Sequence, residues 1–145
     1  MSVEKFLNPE EEKQILKAIS IAETNTSGEI RVHLESNCEG DVMERAKTVF
    51  GKLKMHKTKL RNGVLFYIAA DSHHFAILGD KGINEKVPTN FWQETKELVI
   101  AKLANNETAA GLEQGILKAG EQLKAFFPYQ SDDVNELSDE ISTGK

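Results

Sequence analysis

The segment Asn62–Glu85, NGVLFYIAADSHHFAILGDKGINE, does most to limit what this chain can fold into. After an Asn-Gly pair, seven consecutive apolar or aromatic residues run from Val64 to Ala70. An unbroken run of that length between turn residues matches a strand buried on both faces, which needs cover on each side. Asp71-Ser72 then turns the chain and Phe75–Leu78 is apolar again, so the second run is expected to pair antiparallel with the first. Gly79-Asp80-Lys81-Gly82 closes the unit. A carboxylate thus stands at either end of the hairpin, Asp71 at the turn and Asp80 at the exit.

The cover has to come from the flanks, and both carry helical patterns. Asn8 reads as an N-cap with Pro9 at the first helical position and Glu11 as its capping-box partner. Ile15, Leu16, Ile19 and Ala22 give that helix one apolar face. Asn25–Gly28 ends it. Ile30, Val32 and Leu34 then alternate with Arg31, His33 and Glu35, the pattern of a half-buried strand. A second helix follows Gly40, capped by Asp41 with Glu44 in reciprocal position, and buries Val42, Ala46, Val49, Phe50 and Leu53. Strand–helix–strand in this order predicts that Ile30–Glu35 and Val64–Ala70 lie parallel. Two further helices are expected after Pro88. One has Thr89 as its candidate cap, and the other spans Thr108–Phe127 with Leu112, Ile116, Leu123 and Phe127 as its stripe. Gly111, Gly115 and Gly120 in the latter suggest close approach to the sheet.

The fold class expected is therefore α/β, a three-layer α/β/α sandwich around a mixed sheet of three to four strands. Residues 1–128 form the domain. The stretch 129–145 holds five acids against Lys145 and so carries −4 of the net charge of −5. It is expected to be flexible or weakly helical through Val134, Leu137 and Ile141. The body is close to neutral, so no global field for nucleic acid exists. The single cysteine, Cys38, excludes an intramolecular disulfide and a Cys-rich zinc site. No signal peptide or membrane span is visible, and a cytoplasmic protein is expected.

The topology sorts the polar residues into two groups. Glu29 begins the first strand, Asn62-Gly63 begins the second, Asp80 ends the third and Glu85 follows. These oxygens at one end of the sheet would suit a hard cation, Ca²⁺ or Mg²⁺. The plainer reading is that Glu29 and Glu85 are solvated and Asp80 closes a turn. The opposite end gathers Glu35, Ser36, Glu39, Asp41 and Asp71, at the carboxyl ends of the parallel strands where ligands of open α/β sheets bind. His73-His74 makes a poor chelating pair, because neighbours on a strand point to opposite faces. Lys52–Arg61 is rich in lysine and reads as a mobile solvated loop that could meet an anion. No phosphate-cradling loop, GxSxG or recognisable nucleophile and base pair occurs.

SGEIRVHL, NGVLFYIA and LGDKGINE, in this order and at these separations, resemble the TPM domain family, which has thylakoid-lumen and membrane-associated members and carries the description of an acid phosphatase. The resemblance spans about Phe6 to Pro128. It implies an α/β/α sandwich, divalent cation binding and a weak phosphatase activity, and its acidic and glycine positions fall on Glu29, Asn62, Gly63, Gly79, Gly82 and Glu85. The expected metal ligands are Glu29, Asn62, Asp80 and Glu85, with Ser36, Asp41 and Asp71 as the runner-up set. The expected function is a stand-alone Ca²⁺- or Mg²⁺-binding TPM-like domain with a regulatory or interaction role. The alternatives are a metal-dependent phosphatase, with Lys59 or Arg61 clamping the phosphate, and a metal-independent protein interaction module.

Overall fold

The structure is a computed structural model and describes residues 6–129 and 140–144. Asn8 caps α1 (Pro9–Asn25): its side chain accepts from the Glu11 amide while the Glu11 carboxylate accepts from the Asn8 amide, as the sequence predicts. β1 (Glu29–Glu35) follows, then α2 (Val42–Lys52), where the Asp41 carboxylate accepts from the Met43 amide. A single 3-10 turn, Met55–Lys57, leads to β2 (Gly63–Ala69), and a tight turn leads on to β3 (His74–Gly79). The short α3 (Lys81–Asn84), α4 (Gln93–Ala104), α5 (Thr108–Leu123) and a two-residue β4 (Ser142–Thr143) complete the described chain.

The sheet has the order β3-β2-β1-β4. β1 and β2 are parallel from Glu29↔Gly63 to Glu35↔Ala69, and β3 runs antiparallel to β2 from Gly79↔Val64 to His74↔Ala69. Every residue of β2 is buried, the result expected of its unbroken apolar run. Alternation splits its side chains between two cores. Val64, Phe66 and Ile68 join α1, α4 and α5 on one face. Leu65, Tyr67 and Ala69 meet Ala46, Val49 and Phe50 of α2, together with Met55, on the other. This is the three-layer α/β/α arrangement, with helices on both faces of a mixed sheet.

Several details differ from the sequence reading, each for a physical reason. β1 is not half-buried: His33 and Glu35 lie inside as well, because the second core offers them polar partners. α4 begins at Gln93 rather than after Thr89; residues 89–92 are spent in turns and Trp92 occupies the cap without a side-chain bond. α5 ends at Leu123, and Phe127 is buried beyond it by the Ser27 amide donating to its carbonyl at 2.9 Å. The glycines of α5 meet the neighbouring helices more than the sheet. A Cβ on Gly111 would lie 2.9 Å from Lys102 Cβ, one on Gly115 2.6 Å from Val99 Cγ2, and one on Gly120 2.7 Å from Ala22 Cβ. Lys52–Arg61 is not a featureless loop, since Met55 is fully buried and pins the 3-10 turn to the second core. At the far end, Ile141 is buried and Ser142–Thr143 add to the sheet as a parallel strand, where a flexible or weakly helical stretch was expected; Val134 and Leu137 lie outside the described residues.

Candidate functional site

Pairing brings the starts of β1 and β2 and the exit of β3 to one end of the sheet. The Glu29 amide donates to the Asn62 carbonyl at 3.1 Å, and the Asp80 amide to the Gly63 carbonyl at 2.9 Å. Asn62 is buried; its Nδ2 donates to the Ser27 carbonyl at 2.9 Å and its backbone amide to Thr58 Oγ1 at 3.1 Å. Its Oδ1 is buried with no hydrogen-bond partner among the described residues. Asp80 is buried too, and its carboxylate is fully engaged. It accepts from Arg61 Nε at 2.8 Å and Nη2 at 3.0 Å, and from the Lys81 amide at 2.7 Å, which makes it the cap of α3. The hydrogen bond to Asp80 raises the Arg61 guanidinium further above its usual range.

Asp80 and Glu85 line a common cavity of about 440 Å³ with Lys47, Phe50, Lys81 and Asn84. A neighbouring cavity of about 430 Å³ is lined by Lys59, Arg61, Lys81, Glu85 and Lys86. Gly82 joins the two walls: its amide donates to the Arg61 carbonyl at 2.8 Å, and a Cβ there would overlap the Leu60 carbonyl oxygen. Glu29 is buried, is engaged within the fold and lines neither cavity, and Asn62 likewise lines neither. Of the four candidate ligands, two thus share a cavity and two sit in the packed end of the sheet. No group of three or more His, Cys, Asp or Glu among the described residues is arranged to hold a metal ion.

The opposite end is organised around Glu35. Its carboxylate accepts from Arg45 through both Nε, at 3.0 Å, and Nη2, and from the Tyr67 hydroxyl. His33 Nε2 lies 3.1 Å from its Oε1, and His33 Nδ1 lies 2.9 Å from Ser142 Oγ. The His33 and Tyr67 rings stack with centroids 5.9 Å apart. Burial pushes the Glu35 carboxyl up, but the hydrogen bonds from Arg45, Tyr67 and His33 outweigh it and hold it at about 2. Burial lowers His33, and raises Tyr67 with Glu35 adding to the effect. Ser142, His33 and Glu35 follow the order of a hydrolytic triad, yet Arg45 already neutralises the carboxylate that would strengthen His33 as a base. Glu35 and Arg45 also border a cavity of about 480 Å³ with Asn37, Cys38 and Glu39. Of the runner-up residues, Ser36 is buried, Asp41 is engaged as a cap and Asp71 is exposed in the turn.

Sequence pattern places Glu35 at this end but gives no role to His33, Arg45, Tyr67 or Ser142. Two signals were present. His33 and Glu35 are two apart on a strand and so share a face. A tyrosine inside an apolar run has a hydroxyl that needs a partner. The approach of Ser142 is long-range and left no mark in the sequence.

A mixed α/β sandwich with these two polar ends is the class of protein defined so far. The profile of the TPM domain matches residues 2–122, and the chain belongs to the TPM domain family. Among solved structures it is similar to the NMR structure of BA42 protein from the psychrophilic bacterium Bizionia argentinensis. Identity is 50%, with 99% of each chain covered and a TM-score of 0.91. It also resembles in fold the N-terminal domain of the cg2496 protein of Corynebacterium glutamicum, at 12% identity, covering 96% of this chain and 80% of that one with a TM-score of 0.61. No curated protein matches the chain. No helix among the described residues is long and apolar enough to cross a membrane.

Proposed function

We propose that this TPM domain is a divalent-cation-binding module that takes Ca²⁺ or Mg²⁺ at the Asp80–Glu85 end of the sheet, with Glu29 and Asn62 as the further ligands. The observation that carries the reading is the buried, unpartnered Oδ1 of Asn62, one residue from the arginine that holds Asp80. A buried carbonyl oxygen left unpaired costs about 1–3 kcal/mol, and a hard cation is one partner that removes the cost. The donors are all oxygens, which favours Ca²⁺ or Mg²⁺ over softer metals. Because Arg61 occupies both Asp80 oxygens, the ion has to compete with a guanidinium. Affinity is therefore expected in the micromolar to millimolar range, like that of other few-carboxylate sites.

Titrating ¹⁵N-labelled protein with CaCl₂ and MgCl₂ tests this. Amides of Asn62–Gly63 and Gly79–Glu85 are expected to shift, exchange at Leu60–Gly63 to slow, and Asp71–His73 to stay unchanged. Asp80→Asn should weaken binding, and Arg61→Gln should tighten it about twofold to fivefold by removing the half-exposed guanidinium that competes for the buried Asp80 carboxylate. Shifts at Ser36–Asp41 and Asp71 instead would move the ion to the other end. Silence at both ends would end the reading.

The cavity lined by Lys59, Arg61, Lys81 and Lys86 favours a second reading, a metal-dependent phosphatase acting on phosphomonoesters. In it Asp80 and Glu29 hold the ion and Lys59 or Arg61 takes the phosphate. Hydrolysis of a generic phosphomonoester with Mg²⁺ should then be lost in Asp80→Ala. Turnover that survives that substitution rejects it.

A further inference from the structure

The outer edge of β1 is closed by the chain itself. Parallel pairing turns the Glu29 amide toward β2, so the amides of Ile30, Val32 and Leu34 face away from it. The first of these is met by the Glu23 carboxylate, 3.2 Å from the Ile30 amide. The far half is met by main chain: His33 pairs with Ser142, Leu34 with Thr143, and the Gly144 amide donates to the Leu34 carbonyl at 2.8 Å.

Three side-chain positions seat this segment, and each demands a different residue. Ile141 is buried in the larger core. Ser142 Oγ reaches His33 Nδ1 at 2.9 Å. At position 144 a Cβ would overlap Glu35 Oε1 and lie 2.9 Å from its Cγ, so only glycine fits. Glu35 cannot retreat, because Arg45, Tyr67 and His33 hold it. Together these positions make a recognition pattern of an apolar anchor, a hydroxyl and a bare backbone.

We propose that the His33–Glu35 edge of β1 is a strand-accepting slot for extended peptides like Ile-Ser-Thr-Gly, apolar at the first position, serine at the second and glycine at the fourth. In this chain Ile141–Gly144 fills it as a resident occupant that a partner's peptide must displace. Main-chain bonds to a sheet edge supply affinity in such complexes, and the side-chain seats supply choice. The resident occupant is small, two paired residues and one buried apolar side chain, so a partner peptide can compete with it.

The test uses the whole chain and a fluorescein-labelled peptide of the sequence Glu140–Gly144. Binding to the wild-type protein should be weak. Ile141→Asp in the protein should strengthen it about tenfold to a hundredfold, because the resident no longer masks the slot for most of the time. A peptide carrying the Gly144→Val change should bind neither protein. Amide shifts at His33–Ser36 should mark the site. Since Ile141→Asp puts a charge at the larger core, Gly144→Val in the protein serves as a second release variant, with far-UV circular dichroism as the check on folding. Equal binding of both peptides, equal affinity for wild-type and released proteins, or no binding to a folded released variant would each overturn the slot.

Discussion

At the scale of single residues, Glu35 draws Arg45, Tyr67 and His33 onto one carboxylate, and its chemistry predicts an acid limit to stability. Its folded value of about 2 lies below its ordinary 4.5. A carboxyl depressed in this way stabilises the fold above pH 4.5 and loses that contribution as pH falls toward 2. A shift of this size corresponds to about 3 kcal/mol. His33 is lowered from 6.5, so below that pH the unfolded chain takes a proton first and stability begins to fall. Urea midpoints should therefore be flat between pH 7 and the ordinary tyrosine value of 10.0, above which the raised Tyr67 costs stability, and decline in two stages as acid is added. Glu35→Gln should be less stable at pH 7, with Arg45 left unpaired, yet show a shallower decline between pH 4.5 and 2. Parallel curves for the two proteins would remove Glu35 from the acid response. The parts of this cluster differ in how readable they were. The shared face of His33 and Glu35 follows from strand period, whereas their burial depends on Arg45, ten residues beyond Glu35 on another element, and on Ser142.

Among elements, the helices were legible where local chemistry fixes an end and opaque where packing does. The Asn8–Pro9–Glu11 box set the start of α1. No such signal existed for α4, whose first turn waits on the bends at 89–92. The buried hairpin was legible because its apolar run exceeds what a one-sided strand carries. β4 was not, since two residues with no alternation give no period to read. Packing also decides what glycine does. In α5 a Cβ on Gly120 would press on the Cα of Ala22 at 2.8 Å, and in α2 a Cβ on Gly51 meets nothing within 4 Å. Gly120→Ala should thus cost about 1–3 kcal/mol through overpacking. Gly51→Ala should gain about 0.5–1 kcal/mol from helix propensity alone. Thermal midpoints that move in the same direction for both would show that this packing is misjudged. Deleting residues 140–144 should lower stability as well, by roughly the 1.5–3 kcal/mol of burying one large aliphatic side chain.

For the whole molecule, two cores share one sheet, and β2 contributes alternate side chains to both. Neither core can open without disturbing the strand that lines the other, so one cooperative transition is expected. Trp92, the only tryptophan, packs against the larger core and reports on that side. Its fluorescence and far-UV circular dichroism should give coincident urea transitions, and separated midpoints would mean that the layers unfold independently. The layer order itself was readable from pattern. The choice between its two ends as a working site was not, because Arg61 on Asp80 and Arg45 on Glu35 are set by tertiary contact. The contact of Ala22 in α1 with Gly120 in α5 also bears on synthesis. At about 5–20 residues per second, the first helix leaves the ribosome roughly 5–20 s before its partner does. For that interval its Ile15–Ile19–Ala22 face stands open to wrong partners, and only the arrival of α5 closes it.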